Sequence, residues 1–123
     1  MISEAYTGRY RMHINFGGRG FWCMFDYAAI PAPEVEGIHI TTSSNADSVT
    51  VRWFPDLLRG MEAGWLMLQE HYARLLTGVR VEIRNIYEHQ VDTTSKGCEY
   101  YGKMFIDYLG RDLARHESSS GTT

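Results

Sequence analysis

The 123-residue sequence has few of the residues that mark disulfide-rich, redox-active or membrane-spanning proteins. Only two cysteines are present, Cys23 and Cys98, and neither belongs to a C-x-x-C motif, so at most one disulfide could form. No segment approaches the roughly 18 consecutive apolar residues that a membrane-spanning helix needs. The first residues contain neither a basic leader nor an apolar stretch, so we expect no signal peptide. Together these absences favour buried free thiols in a reducing, cytoplasmic setting.

Signatures of metal and nucleotide binding are missing as well. The five histidines show no ligand spacing, so we expect no metal site. The segment "GCEYYGKM", Gly97 to Met104, comes within one residue of the P-loop pattern G-x-x-x-x-G-K-[ST], but Met104 stands where a hydroxyl must hold magnesium. Apolar residues in 95–113 recur at steps of three and four, which predicts a helix. We therefore expect no nucleotide and no cofactor.

Basic residues are in deficit, with 12 Lys and Arg against 15 Asp and Glu and a formal net charge of −3. A protein that binds nucleic acid without regard to sequence is usually strongly basic, because its affinity comes from neutralising phosphates. Any contact with nucleic acid must therefore depend on a local patch. The charge is uneven: Arg9, Arg11 and Arg19 lie near the start, and the acidic residues that follow have no Lys or Arg among them: Asp26, Glu34, Glu36 and Asp47.

Three strands are predicted before residue 50. The stretch "RYRMHI" alternates, with Tyr10, Met12 and Ile14 on the side expected to face the core. The glycines of "NFGGRGF" mark a hairpin, and "FWCMFDYAAI" follows as a strand that ends at Pro31. The third strand is "GIHITT", and we interpret "VTVRW" as a short extension of the same edge.

A long amphipathic helix is predicted from Phe54 onward, because apolar residues recur there at steps of three and four. Pro55 suits its first turn, and Gly78 stands where a C-terminal glycine cap belongs. Gly60 and Gly64 are expected to let a neighbouring element approach closely.

A fourth strand, "VRVEIRNIY", and a second helix complete the chain, with Gly102 inside that helix as a further point of close packing. The order β-β-β-α-β-α predicts an α/β (α+β) fold, a two-layer sandwich with one sheet of about four strands and both helices on one face. Residues 1–116 form a single domain in this interpretation, and 117–123 form a flexible tail.

The sheet face without helices is expected to carry outward arginines, and two interpretations of this face stay open. An open sheet face rich in arginine could contact RNA. It could equally be a solvated face whose arginines pair with Glu82 and its neighbours. The residues concerned are Arg9, Arg11, Arg80 and Arg84.

Three segments in a fixed order resemble a known family. They are "GGRG" in the hairpin, "PDLLRGMEAG" in the first long helix, and "HQVDTT" before a helix that contains Gly102. The set resembles the fourth domain of elongation factor G, the bacterial translocation GTPase, and of the related ribosomal protection proteins, over roughly Ala5 to Leu113. The resemblance implies the sandwich of a small-subunit ribosomal protein domain, with a left-handed β-α-β crossover.

The resemblance also implies a binding surface. In that family the hairpin and the histidine-bearing loop form a tip that reaches the decoding centre of the small ribosomal subunit, so the partner implied here is the ribosome or its RNA. The GTPase domain has no counterpart in this sequence, which implies a binding module and not an enzyme. The residues carried over are Gly17, Gly18, Arg19, Gly20, His89, Gln90, Asp92, Thr93 and Thr94.

One departure from the family pattern leaves a second function open. After "GGRG" this chain has Phe21 and Trp22, where the family has polar and glycine residues. These aromatics could stack on an unpaired base, or could form an interface with a protein partner or a second copy of the chain. A hydrolase built on the loop that contains His89, Asp92 and Ser95 is the least favoured hypothesis, because such residues before a helix usually cap it.

Overall fold

A computed structural model describes the backbone of residues 4–16, 19–89 and 92–121, and the side chains of these except 14–16, 19–21, 74–75 and 116–121. The elements follow the predicted order β-β-β-α-β-α, with one additional short helix before the last strand. They are β1 Tyr6–Phe16, β2 Arg19–Pro31, β3 Ile38–Thr42, α1 Ser48–Leu68, α2 Ala73–Leu76, β4 Val79–Tyr87 and α3 Ser95–Gly121.

The four strands form one mixed sheet in the order β1-β2-β4-β3. Strands β1 and β2 pair antiparallel, as do β2 and β4, whereas β3 runs parallel to β4. The parallel pair requires a crossover connection, which α1 and α2 supply. The predicted α+β sandwich is therefore confirmed; the hand of the crossover stays a prediction.

The core lies between one face of the sheet and the two long helices. Alternating residues of the strands point into it, among them Phe25 and Tyr27 of β2, which are almost fully buried. The ring of Phe105 in α3 packs edge-on against both, with centroid distances of 4.9 Å in each case. Since the helices cover only this face, the other face of the sheet is left uncovered.

The alternation in β1 predicts Met12 on the core side, but its side chain is 40% exposed. Tyr10, two residues earlier, is buried as predicted. Strand β1 is an edge strand with a neighbour on one side only, so helix α3 covers part of its inner side and leaves the rest open.

Helix α1 begins at Ser48 and not at Phe54, so the interpretation of "VTVRW" as strand is wrong. Asp47 caps the helix, because its side chain accepts a hydrogen bond from the Thr50 N–H at 2.8 Å. The first turn is also tied to the sheet, since the Ile86 N–H donates to the Thr50 hydroxyl at 2.9 Å. A capping bond and a tertiary bond thus outweigh the strand propensity of a β-branched run.

The long helix also ends earlier than its period predicts. Helix α1 stops at Leu68, and α2 follows after a turn, so Gly78, with φ of 70°, comes after a separate short helix. Because α1 begins at Ser48, Pro55 lies inside the helix instead of in its first turn. At the other end of the chain, α3 continues to Gly121, into the segment 117–123 that the composition predicts to be a flexible tail.

Glycines allow α1 and α3 to approach each other closely, as predicted. A Cβ on Gly60 would run into the carbonyl oxygen of Glu99, and one on Gly102 into that of Leu57. The near-P-loop segment lies inside α3, so it is helical, as its period predicts. Within the described ranges, no helix is both long enough and apolar enough to cross a lipid bilayer.

Candidate functional site

The loop between β4 and α3 forms a bend that is closed by its own hydrogen bonds. The Thr93 hydroxyl accepts from the His89 N–H at 2.7 Å, and the Thr93 N–H donates to the His89 carbonyl at 3.1 Å. The Asp92 N–H donates to Nδ1 of His89 at 3.2 Å, which places the proton of a neutral ring on Nε2. His89 and Asp92 are therefore held in one arrangement; the predicted site residue Gln90 lies outside the described residues.

Thr94 ends the bend and starts helix α3. Its hydroxyl accepts from the Gly97 N–H at 3.0 Å, and its carbonyl accepts from the Cys98 N–H at 2.9 Å. This is the capping role expected of a threonine before a helix. The hydroxyls of Thr93 and Thr94 are thus both engaged as acceptors in local structure.

The base of the first hairpin meets this bend. The Trp22 N–H donates to the Asp92 carbonyl at 3.2 Å, and His13 Nε2 lies 3.4 Å from Asp92 Oδ2. The rings of Trp22 and His89 lie side by side, with centroids 5.9 Å apart and planes inclined by 48°. His13, Trp22, His89 and Asp92, which we call the tip cluster, therefore bring together residues about seventy positions apart in the chain.

The geometry of the tip cluster places one carboxylate between two imidazoles. The Asp92 side chain is 18% exposed, whereas those of His13 and His89 are 46% and 48% exposed. Nδ1 of His89 lies 3.8 Å from the same Asp92 oxygen that His13 approaches. The acidic group is thus largely covered, and the outer surface of the cluster is formed by two imidazoles and an indole.

Sequence reasoning identified His89, Asp92 and Trp22 but missed His13. The signal was present, because His13 alternates outward in β1, close to the glycine hairpin. What the sequence does not show is the register, which pairs His13 with Trp22 across the ladder.

The predicted hairpin residues are described only in part. Arg19, Gly20 and Phe21 begin β2, and their backbones pair with Phe16, Asn15 and Ile14 of β1. Their side chains, and the whole of Gly17 and Gly18, lie outside the described residues. The ladder nevertheless continues to the Phe16–Arg19 pair, so the hairpin projects beyond the tip cluster.

On the open face of the sheet, Arg9 is already engaged. Its Nε donates to Asp26 Oδ1 at 2.6 Å, and its Nη2 donates to the Tyr87 hydroxyl at 3.0 Å. The Tyr87 hydroxyl in turn donates to Asp26 Oδ2 at 2.6 Å. The hydrogen bond from Arg9, aided by Tyr87, lowers the pKa of Asp26 despite partial desolvation.

The remaining arginines of this face divide into two kinds. Arg84, at a β-bulge in β4, pairs with Glu82 at 3.0 Å. Among the described residues, neither the exposed Arg11 nor the half-buried Arg80 forms an ion pair. The face is therefore partly the solvated, internally paired surface considered above. Arg11, two residues before His13 in β1, forms no ion pair with the described residues.

The end of β4 is anchored from the other side of the sheet. Nε1 of Trp53 in α1 donates to Glu88 Oε2 at 2.7 Å, and Arg52 lies over the Trp53 ring at 4.8 Å. Glu88 directly precedes the bend. Helix α1 thus holds the strand end from which His89 projects.

The two thiols are free and buried inside the sandwich. Burial raises the pKa of the Cys98 thiol to about 12, and it raises the pKa of Cys23 further. Both side chains are therefore neutral near pH 7 and act as small apolar core residues. In the part of the chain that the structure describes, no three His, Cys, Asp or Glu side chains meet as metal ligands.

Comparison with known proteins gives a fold likeness only. No protein-family model matches the sequence, and no curated protein matches it. Solved structures do match, with 46 chains found. One is a crystal structure of a protein from Thermus thermophilus, with a TM-score of 0.58 and 14% identity over 83% of this chain and 15% of that chain. At this identity the likeness shows the fold, and this chain spans a small part of that protein's length.

Proposed function

We propose that this domain is a non-enzymatic binding module of the translation-factor type, which contacts ribosomal RNA in the cytoplasm through the end where the hairpin meets the bend. The single observation that carries the proposal is the hydrogen bond from the Trp22 N–H to the Asp92 carbonyl. It joins the two segments on which the resemblance to the fourth domain of elongation factor G rests. A tip of that kind requires these segments to be neighbours.

The chemistry of the tip cluster supports RNA as the partner. Imidazole N–H groups can reach phosphate and ribose oxygens, and an indole can stack on a base. The Asp92 side chain is only 18% exposed, so an approaching phosphate would contact the two imidazoles before the carboxylate. Arg11 adds a guanidinium able to bind a phosphate through two hydrogen bonds. The hairpin beyond the cluster contributes Arg19 from a segment rich in glycine.

The local hydrogen bonding supports binding without catalysis. A hydroxyl nucleophile needs a base in reach and freedom to attack. The hydroxyls of Thr93 and Thr94 instead accept bonds that close the bend and cap α3. The buried thiols are neutral, which removes the other common nucleophile.

Trp22 suggests which form of RNA would be bound. In the family that this chain resembles, small or polar residues follow the hairpin, which suits a close approach to a duplex. A half-buried indole beside His89 suits stacking on an unpaired base instead, a contact worth about 1–3 kcal/mol. We therefore expect unpaired segments of small-subunit ribosomal RNA to bind more tightly than duplexes.

The test is a titration of the domain into fluorescently labelled fragments of small-subunit ribosomal RNA. Arg11→Ala and Arg19→Ala should each weaken binding by about tenfold at low salt and should lower the slope of log K against log salt by about 1. Arg111→Ala is the matched control, because Arg111 is an exposed arginine of α3 that pairs with Asp107. It should leave the affinity within about twofold.

Two results would contradict the proposal. One is equal affinity for the Arg11, Arg19 and Arg111 variants, which would mean that the basic residues near the tip play no special part. The other is a concentration-dependent dimer that is lost in Trp22→Ala, which would assign the aromatic surface to self-association. Sedimentation velocity at several protein concentrations detects the second result.

A further inference from the structure

A second surface lies at the edge of the sheet formed by β3. Here β3 and α1 border an open groove of about 350 Å³. Its walls are largely apolar, and Leu66 of α1 is 69% exposed beside it. No described segment of the chain forms a strand beyond β3. The lining residues are Ile38, Ile40, Leu58, Trp65 and Leu66, with His39 and Glu62.

The backbone of β3 has hydrogen-bonding groups directed away from the sheet. The Gly37 carbonyl accepts from the Val79 N–H, and the Ser43 N–H donates to the Ile83 carbonyl. Odd-numbered residues of this segment therefore face β4. Because backbone groups alternate along a strand, the N–H and C=O groups of residues 38, 40 and 42 point outward. Such an edge is a template for one more strand.

The groove floor is preformed by packing between the loop before β3 and helix α1. Gly37, with φ of 78°, lies directly against the Trp65 ring, where a Cβ would come within 3.1 Å of Cζ2. Trp65 is therefore fixed beside the strand edge. Leu66 borders the same space and exposes most of its side chain. An apolar side chain entering here would cover both residues.

Exposed acidic residues lie on the segments around the groove. Glu36 directly precedes Gly37, Glu62 lies one helical turn before Leu66, and Glu34 and Glu70 lie on the flanking segments, all four exposed. Within the described residues, none of these carboxylates takes part in an ion pair. Arg80 is near in the ladder, but its side chain belongs to the opposite face of the sheet, since Val79 and Val81 face the core. The partner must therefore bring positive charge.

We infer that this groove binds an extended, basic peptide segment of another protein, which adds a strand to the free edge of β3 and inserts an apolar side chain beside Leu66 and Trp65. Main-chain hydrogen bonds to residues 38, 40 and 42 supply the part of the affinity that does not depend on the sequence of the peptide. The carboxylates select lysine and arginine at the flanking positions. A nucleic acid is disfavoured because its phosphates would meet these carboxylates, and a second copy of the chain would bring the same negative charges.

The probe is a fluorescent, acetylated and amidated heptapeptide that alternates lysine with valine or leucine, titrated with the full chain at low salt. Leu66→Ser should weaken binding by about tenfold, because it removes an apolar contact of the size of a buried leucine and adds no charge. Val51→Ser is the matched control, since Val51 is 61% exposed on the same helix but does not line the groove. It should leave the affinity within about twofold.

Two further probes separate strand addition from nonspecific attraction of charge. A peptide that is N-methylated at alternate residues keeps its charge but loses the donors that a strand needs, so it should not bind. Glu62→Gln combined with Glu36→Gln should weaken binding and reduce its salt dependence. Circular dichroism checks that each variant is folded. We expect every variant to fold, because the changed positions are exposed.

Three outcomes would overturn the inference. Equal binding of the methylated peptide would mean that the edge is not used. Equal losses in the Leu66 and Val51 variants would mean that the groove is not used. A dimer that depends on Leu66, seen by sedimentation without any peptide, would identify the occupant as a second copy of the chain.

Discussion

At the scale of single residues, the open sheet face shows how register changes the meaning of a charge pattern. Alternation places Arg9 outward, and this much follows from the sequence. Its partner Asp26 lies seventeen residues away and becomes its neighbour only through the β1–β2 ladder. The sequence alone suggests a guanidinium that is free to bind a ligand. In the structure a carboxylate and a tyrosine hydroxyl bind this guanidinium, and the contacts stabilise the sheet.

The Asp26 network predicts a pH dependence of stability. The folded-state pKa of Asp26 is lowered, so its contribution is present at neutral pH and is lost as the pH falls through that lowered pKa. Asp26→Asn should therefore be less stable than the parent protein at pH 7, by at most about 1 kcal/mol for so exposed a pair. The difference should become smaller when the pH is lowered to 2. Urea unfolding at both pH values measures it.

Glu70→Gln is the control for that comparison, because Glu70 is exposed and has no described ion pair. It should not change the free energy of unfolding at either pH. A destabilisation by Asp26→Asn that persists undiminished at pH 2 would show that the carboxylate charge is not the cause.

At the scale of elements, the contact between α1 and α3 depends on missing side chains. Gly60 and Gly64 in α1 face Glu99 and Lys103 of α3, and Gly102 faces Leu57. The atoms they meet are backbone carbonyls, which cannot rotate aside as a side chain can. The spacing of these glycines is visible in the sequence, but their partners on the other helix are not.

Gly102→Ala tests this contact. Alanine stabilises an isolated helix by about 1 kcal/mol more than glycine does, so the substitution would raise the stability if the site were loosely packed. Here the added methyl meets the Leu57 carbonyl and must push the helices apart, so we expect a net loss of about 2 kcal/mol. Urea unfolding provides the measurement. The neighbouring Lys103→Ala, at an exposed position, should stay within about 0.5 kcal/mol of the parent.

A stabilised Gly102→Ala protein would contradict the close approach of the two helices. Gly60→Ala is a second check, because its added methyl would meet the Glu99 carbonyl and should lower the stability in the same way.

At the scale of the whole molecule, the two candidate surfaces lie at opposite ends of one strand. Val79 pairs with Ile38 beside the groove, and Tyr87 pairs with Met24 near the tip cluster. The nine residues of β4 separate these ends by about 26 Å, at roughly 3.3 Å per residue. Exposed carboxylates lie around the groove, whereas two imidazoles belong to the tip cluster and Arg11 lies two residues before His13, so the net charge of −3 is unevenly distributed.

This separation predicts that the two surfaces act independently. Leu66→Ser should leave the RNA affinity within about twofold of the parent, and Arg11→Ala should do the same for the peptide affinity, because changes so far apart are nearly additive and charges at this distance are screened. The measurement is fluorescence anisotropy. Each variant is titrated with the labelled RNA and with the labelled peptide. A loss of both affinities in either variant would mean that the sites share a surface or that the variant is misfolded.

Local pattern was sufficient for most of the fold. Side chains alternate in strands and repeat every three to four residues in helices, so the sequence by itself determined that there are four strands, two long helices, one apolar face and a helical "GCEYYGKM". It also indicated Asp92, Thr93 and Thr94 as residues of a polar bend. Where local signals compete, as in "VTVRW", the sequence misled: the run has the pattern of a strand but is the start of α1.

Only the tertiary structure decided which of these pieces meet. Strand order brought His13 and Trp22 to Asp92, register gave Arg9 its carboxylate, and helix packing selected the partners of Gly60 and Gly102. The physical reason is that periodicity depends on the direction of neighbouring side chains, whereas pairing depends on which distant surfaces bury the most apolar area together. That choice is made by the whole chain, and no short segment carries it.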